Sequence, residues 1–303
     1  MGLREASLLA ALVLSANAAA GETFSCRTLA PHRDATITAE ATLAGVPAIV
    51  RVPATVTKAP IVLWHGFGPP ASEAALMDAL PLDDVPAIKV YLGLPLFGKR
   101  ADPDQGALRR RQAVDVALNV FEPIVMGAAK ELPRVVAALR AGGCLDARAK
   151  IGLFGFSAGG AAALYALAEH DVPIASAVVL NASTGLSASV VAYEHATGKT
   201  YTWTDRSRAL ASRADAPGRA RDIASGDPPP ALLIVQGAND ATLTPELATS
   251  LHAVLAPFYA EHDKDREQLM LLDGLSHNVT DAAEIDDLRR RIGGWFNRYL
   301  DRS

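Results

Sequence analysis

The sequence predicts an α/β protein in which a mostly parallel central sheet is covered by helices on both faces. Two observations carry this. Apolar runs of strand length alternate with longer segments of helical character along most of the chain, the rhythm of parallel strands joined by crossover helices. Several of those runs also end in short turns bearing Ser, Asp or His, at the strand ends where such sheets place their ligand-handling groups.

The elements follow in order. Thr36 to Leu43 alternates polar and apolar residues, and Pro47 to Val52 does so again after the turn at Gly45, predicting an antiparallel hairpin at the sheet edge. The parallel part then runs Ile61 to Trp64 (strand), Ser72 to Ala79 (helix), Ala87 to Leu92 (strand), Val120 to Arg140 (helix) and Ile151 to Phe156 (strand). It continues with Ala158 to His170 (helix), Ala175 to Leu180 and Leu232 to Gln236 (strands), Pro245 to Glu261 (helix), Gln268 to Leu272 (strand) and Glu284 to Tyr299 (helix). Pro133 inside the Val120 to Arg140 segment predicts a kink there or two shorter helices, because proline lacks the N–H and crowds the preceding turn. No repeat or low-complexity linker interrupts the chain, which predicts one domain.

Chemistry concentrates at four strand ends. Gly155-x-Ser157-x-Gly159 joins a strand to an alanine-rich helix, and a serine there needs minimal neighbours at minus two and plus two if its hydroxyl is to project from a tight turn. Ala158 places its N–H at the start of the new helix, where unpaired amides favour a developing negative charge. Asp240 follows the run ending at Gln236, and His277 follows the last strand. Upstream, Ile61 to Trp64 leads into His65-Gly66-Phe67-Gly68, where Phe67 is the expected source of a second backbone donor and His65 is expected to shape the loop. Asp273 is a rival to Asp240, but it lies too close to His277 to come from a separate strand end.

On these four motifs the chain resembles the α/β-hydrolase superfamily of serine hydrolases, and within it the small esterases similar to the prolyl-oligopeptidase-like and dienelactone-hydrolase-like groups. The resemblance implies a catalytic triad of Ser157, Asp240 and His277 in that chain order, an oxyanion hole from the Phe67 and Ala158 amides, and an acyl-enzyme mechanism without a cofactor. Two departures point to esters rather than specialised peptides. Dienelactone hydrolases proper use a cysteine nucleophile where this chain has Ser157, and full prolyl oligopeptidases carry a large propeller domain for which 303 residues leave no room. A peptidase or acyltransferase uses the same chemistry with a different leaving group or acceptor. A non-catalytic binding protein of this fold is a further alternative, disfavoured because all three triad residues are present.

Two connections are too long for simple loops. One runs from Gly93 to Asn119 and holds the Arg109-Arg110-Arg111 cluster, for which a solvated helix face is the expectation. The other, about residues 185–226, is expected to form a small lid above the active site, with Tyr201 or Trp203 lining the substrate pocket or packing the lid on the body.

Bulk properties narrow the partners. With 29 Lys+Arg against 33 Asp+Glu the net charge is −4, which predicts no attraction to nucleic acid or anionic membrane, so the expected partner is a small-molecule or polymeric ester. Residues 1–20 read as an export signal, leaving a hydrolase domain over 21–303. Arg4 precedes an apolar stretch from Ser7 to Ser15, and Ala16-Asn17-Ala18 and Ala18-Ala19-Ala20 fit signal cleavage. The stretch is too short to span a bilayer. A periplasmic or extracellular location follows. There the two cysteines, Cys26 and Cys144, are either a disulfide or a pair of buried thiols, and neither falls in a metal-ligand pattern.

Overall fold

The computed structural model of the chain describes residues 24–26 and 35–301. The export signal expected at residues 1–20 lies outside the described residues. Within them eight strands form one sheet in the order β1-β2-β4-β3-β5-β6-β7-β8, parallel from β4 through β8.

The expected hairpin is β1 (Ile37–Leu43) and β2 (Val46–Val52), paired antiparallel at the edge. Its two-residue turn is Ala44-Gly45, both with positive φ (49° and 83°), the twist-matched turn that ties adjacent strands most tightly. β3 (Ile61–Trp64) and β4 (Lys89–Leu92) come next, then β5 (Ile151–Phe156), β6 (Ile174–Leu180), β7 (Ala231–Gly237) and β8 (Glu267–Leu272). β3 to β7 are buried almost throughout, so alternation sorts their side chains between two cores rather than between core and water.

Those two cores explain why helices cover both faces. Val62, Trp64, Leu153, Val179 and Leu232 point to one side and meet α3 (Gly127–Ala141), α4 (Ala158–Glu169) and α8 (Pro245–Ala260). Ile61, Leu63, Phe154, Val178 and Leu233 point to the other and meet α1 (Glu73–Ala79) and α9 (Ala282–Tyr299). Ser72 caps α1 by accepting from the Ala75 amide at 3.1 Å, and Asp281 caps α9 through the Ala283 and Glu284 amides.

The helix expected over Val120 to Arg140 differs. α3 runs through Pro133 without a break, and the irregular stretch lies upstream, where Ala117–Met126 is π-helical and contains Pro123. Proline cannot complete the usual bond to the carbonyl four residues back, and a wider turn with an extra residue accommodates it. Both long connections carry their own helices. α2 (Ala107–Val114) precedes the π-helical stretch, while α5 (Leu186–Thr197), α6 (Asp205–Ala214) and α7 (Ala220–Ile223) lie between β6 and β7. Arg109, Arg110 and Arg111 are exposed on α2, as expected of a solvated face.

Cys26 and Cys144 are joined in a disulfide with a Cα–Cα distance of 5.2 Å. It ties the chain before β1 to the end of α3 across 118 residues, and closing a loop of that length contributes about 4–5 kcal/mol in the chain-entropy model. Intact-mass measurement of unreduced protein under alkylating conditions is expected to find no free thiol, and two alkylated cysteines would contradict the bridge.

Lys89, the first residue of β4, is fully buried, and its Nζ donates to the Val85 carbonyl at 3.0 Å. Burial drives its pKa from 10.5 down to about 8, with Asp83 and Asp84 opposing the fall and Arg51 adding to it. The folded chain therefore binds this proton less readily than the unfolded one. The group destabilises most below pH 8, and the penalty fades as pH rises towards 10.5. Lys89→Met should raise stability at pH 7 by on the order of 1–3 kcal/mol, since the Val85 carbonyl keeps the Ala87 amide at 2.8 Å. Chemical denaturation at pH 7 and pH 10 checks this: the gain must shrink at the higher pH, and a loss at pH 7 would refute the account.

Candidate active site

Ser157 occupies the turn between β5 and α4 with φ 53° and ψ −115°, a backbone conformation few non-glycine residues adopt. The surroundings enforce it. The Ser157 amide donates to Leu180 O at 3.0 Å, and its carbonyl accepts from Ala161 and Ser183 amides at 3.2 and 3.3 Å. A Cβ at Gly159 would meet the Trp64 and His65 carbonyls at 2.5 Å, so only glycine lets α4 press against the end of β3.

The partners come from the ends of the last two strands, β7 and β8. Asp240, 3% exposed beyond β7, accepts from the Thr242 and Leu243 amides through Oδ1, each at 2.8 Å. Its Oδ2 accepts from Gln236 Nε2 at 3.2 Å and lies 2.8 Å from His277 Nδ1. His277, in the loop after β8, turns Nε2 to Ser157 Oγ at 3.1 Å. A carboxylate can only accept, so Nδ1 carries the imidazole proton and Nε2 offers its lone pair to the hydroxyl. The structure thus brings Ser157, His277 and Asp240 into one hydrogen-bonded chain, and Asp273 is exposed outside it.

The β3 loop closes the other side. Gly66 is packed so tightly that a Cβ there would lie 2.8 Å from Ser157 Cβ, which sets the following Phe67 beside the nucleophile. Ala158 is the first residue of α4, so its N–H has no partner within the helix. His65 is wholly buried, with Nδ1 donating to Gly66 O at 2.7 Å and Nε2 accepting from the Leu94 amide at 3.1 Å. Burial lowers its pKa, and those two bonds make it a neutral brace of the loop, as expected from the sequence.

Above Ser157 opens a cavity of about 320 Å³. Its apolar wall is Val116, Val120 and Phe121 from the π-helical side, Ala192 and Tyr193 from α5, and Leu243 after β7. The Phe67 ring also lines it, stacked on Phe97 at 4.9 Å. Of the two expectations for Tyr201 and Trp203, packing on the body is the one their contacts fit, and the lining role is corrected because neither is among the residues around the cavity. The Tyr201 hydroxyl is engaged with Asp115 Oδ1 at 2.9 Å, and its ring meets Trp203 edge-on at 5.2 Å, so both pack the connection onto the body. Tyr193, eight residues earlier, is the tyrosine that reaches the cavity.

Sequence reasoning passed over Asn181. It follows β6 directly, is fully buried, and has φ 44°. Its Oδ1 accepts from the Gly237 amide at 2.8 Å, while Nδ2 donates to the carbonyls of Ser276 and His277 at 2.8 and 3.1 Å. One side chain therefore fastens the loop of His277 to the strand end that leads to Asp240. Its position immediately beyond a strand end was the only available signal.

Residues 128–303 match the prolyl oligopeptidase family. The chain belongs to that family. No curated protein matches the chain. Among solved structures, TT1662 from Thermus thermophilus is similar at a TM-score of 0.65 and 19% identity, covering 87% of this chain and 97% of that one. A puromycin-hydrolyzing peptidase of Mycobacterium tuberculosis is similar at 0.62 and 18%, covering 88% of this chain and 39% of that one. Carboxyl esterase 2 of the mycorrhizal fungus Tuber melanosporum is similar at 0.55 and 19%, covering 89% and 88%. At these identities the likeness establishes the α/β-hydrolase fold. In this prolyl oligopeptidase family member the match begins in α3 and takes in Ser157, Asp240 and His277, whereas the β3 loop with Phe67 lies before it.

Asn181→Ala should slow labelling of Ser157 by a fluorophosphonate about tenfold or more, since a displaced imidazole no longer draws on the hydroxyl. Unchanged labelling would show that the loop of His277 holds its place without this residue.

Proposed function

We propose that the protein is a serine carboxylic ester hydrolase working through Ser157, His277 and Asp240. The observation that carries the reading is the unbroken relay from hydroxyl to imidazole at 3.1 Å and from imidazole to buried carboxylate at 2.8 Å. Ser157 Oγ attacks the ester carbonyl as His277 Nε2 takes its proton, and Asp240 fixes the tautomer and stabilises the imidazolium. The carbonyl oxygen becomes an oxyanion held by the Ala158 and Phe67 amides. Collapse breaks the ester C–O bond, and the leaving alkoxide takes the proton back from His277 as the alcohol departs. Water, deprotonated by the same imidazole, then attacks the acyl carbon; the bond to Ser157 Oγ breaks, the acid departs, and Oγ takes the proton back from His277.

A peptidase reading is favoured by one observation, the family to which residues 128–303 belong. It needs the same relay with an amine leaving. Comparing p-nitrophenyl esters with the matching p-nitroanilides separates the two.

The substrate is proposed to be a small-molecule or polymeric ester met outside the cytoplasm. The disulfide supports an oxidising compartment, and among the described residues no helix is long and apolar enough to cross a membrane. In the same reading α5 to α7 act as a lid over the cavity.

With p-nitrophenyl acetate and butyrate, Ser157→Ala is expected to lower kcat by about 10³-fold or more. Equal rates for wild type and variant would end the hydrolase assignment.

A further inference from the structure

The cavity above Ser157 is more selective in composition than the proposed chemistry requires. Val116, Val120, Phe121 and Val125 are buried and form its inner wall. Opposite them Ala192 and Ala196, one turn apart on the same face of α5, leave space rather than fill it. No Lys, Arg, Asp or Glu is among the described residues that line it. Beyond the relay its polar side chains are those of Gln112, Ser183, Ser189, Tyr193 and Thr242, all uncharged, and the Ser183 and Ser189 hydroxyls lie 2.7 Å apart, bonded to each other. A charged substituent entering here would give up hydration and find no counter-charge.

The two sides of the cavity are also tied to each other. Asp115 Oδ1 accepts from the Ala117 and Leu118 amides, each at 2.9 Å, and so caps the wall. The same oxygen takes the Tyr201 hydroxyl, and Arg206 reaches Glu122 at 3.4 Å. Those contacts span from the β6–β7 connection to the π-helical stretch and fix one side relative to the other. At the roughly 30 Å³ that a water molecule claims in the liquid, about 320 Å³ admits about ten non-hydrogen atoms.

We propose that this cavity selects esters whose apolar part is an uncharged chain or ring that fits within about 320 Å³, the selectivity being set by α5 and the π-helical wall. The proposal rests on the esterase reading and adds the substrate class to it. The apolar part can belong to the acid or to the alcohol, and two isomers tell them apart: ethyl hexanoate and hexyl acetate.

The test compares kcat/KM for ethyl acetate, these two isomers and their carboxylate-ended counterparts, monoethyl adipate for ethyl hexanoate and 6-acetoxyhexanoate for hexyl acetate. Each buried methylene contributes up to about fourfold, so at least one isomer should exceed ethyl acetate by about tenfold or more, with the charged counterpart of that isomer about tenfold or more below it. Which isomer gains assigns the cavity to the acyl or the alcohol half. Ala192→Leu and Ala192→Phe should lower the ratio of the favoured isomer to ethyl acetate in that order, a ratio that general loss of folded protein does not move. Turnover of ethyl acetate with no preference for either isomer, or with the favoured isomer's charged counterpart as good as that isomer, overturns the proposal while leaving the esterase reading intact. Calorimetric binding of the same esters to Ser157→Ala keeps the two separate in the other direction. Tighter binding of the larger uncharged esters without wild-type turnover upholds the cavity and removes the esterase, and equal binding of all these esters overturns the cavity.

Discussion

The contact on which the site depends is the approach of α4 to the end of β3 at Gly159. Two carbonyls, those of Trp64 and His65, occupy the space a side chain would need there. Because the helix comes that close, the loop after β3 must pass directly beside Ser157, and the strained serine backbone is held between Leu180, Ala161 and Ser183. Strain at one residue costs on the order of 1–3 kcal/mol and persists only where surrounding bonds over-determine it. Here the same bonds that fix the turn fix the neighbouring strand ends, so the cost falls on a point the whole sheet supports.

Register then does the rest of the assembly. Trp64 pairs with Gly155, Phe156 with Leu180, Leu180 with Val235, and Val235 with Met270, so the carboxyl ends of five parallel strands come out at one edge. Ser157 and His277 are 120 residues apart in the chain, yet each is only a few residues past a strand end on that edge. The sheet removes most of the conformational entropy of bringing them together, and short fixed loops remove what is left. Asn181 belongs to this logic. It follows the strand between those of Ser157 and Asp240, and its side-chain amide bonds backbone groups at the end of β7 and in the loop after β8.

What the sequence made legible divides along the same line. Strand runs, the glycine-flanked serine and the polar residues just beyond strand ends are local patterns, and the structure places Ser157, Asp240 and His277 in contact as those patterns implied. Pro133 stays inside one continuous helix, α3, while the chain widens around Pro123, and the local sequence does not say which of two prolines the irregular turn accompanies. For Tyr201 and Trp203 residue type leaves pocket lining and packing on the body both open, because type does not give direction: a hydrogen bond to Asp115 turns Tyr201 away from the cavity. The Cys26–Cys144 bridge was likewise open in sequence because only a distance decides it.

The division has a physical consequence for how such a protein can change. The groups of the proposed relay are anchored to the ends of rigid strands and bonded to one another, so a substitution among them disturbs several partners at once. Much of the cavity wall comes from two connections that leave the sheet and return to it, held to each other by the Tyr201 hydroxyl on Asp115 and by Arg206 near Glu122. Shape and charge above Ser157 can therefore be altered through α5 or the π-helical stretch without touching Asp240, whose oxygens are bonded to Gln236, Thr242, Leu243 and His277. A fold that separates its wall from its relay in this way keeps its chemistry constant while its substrate range is free to move, which is why the wall rather than the relay is the place to read specificity.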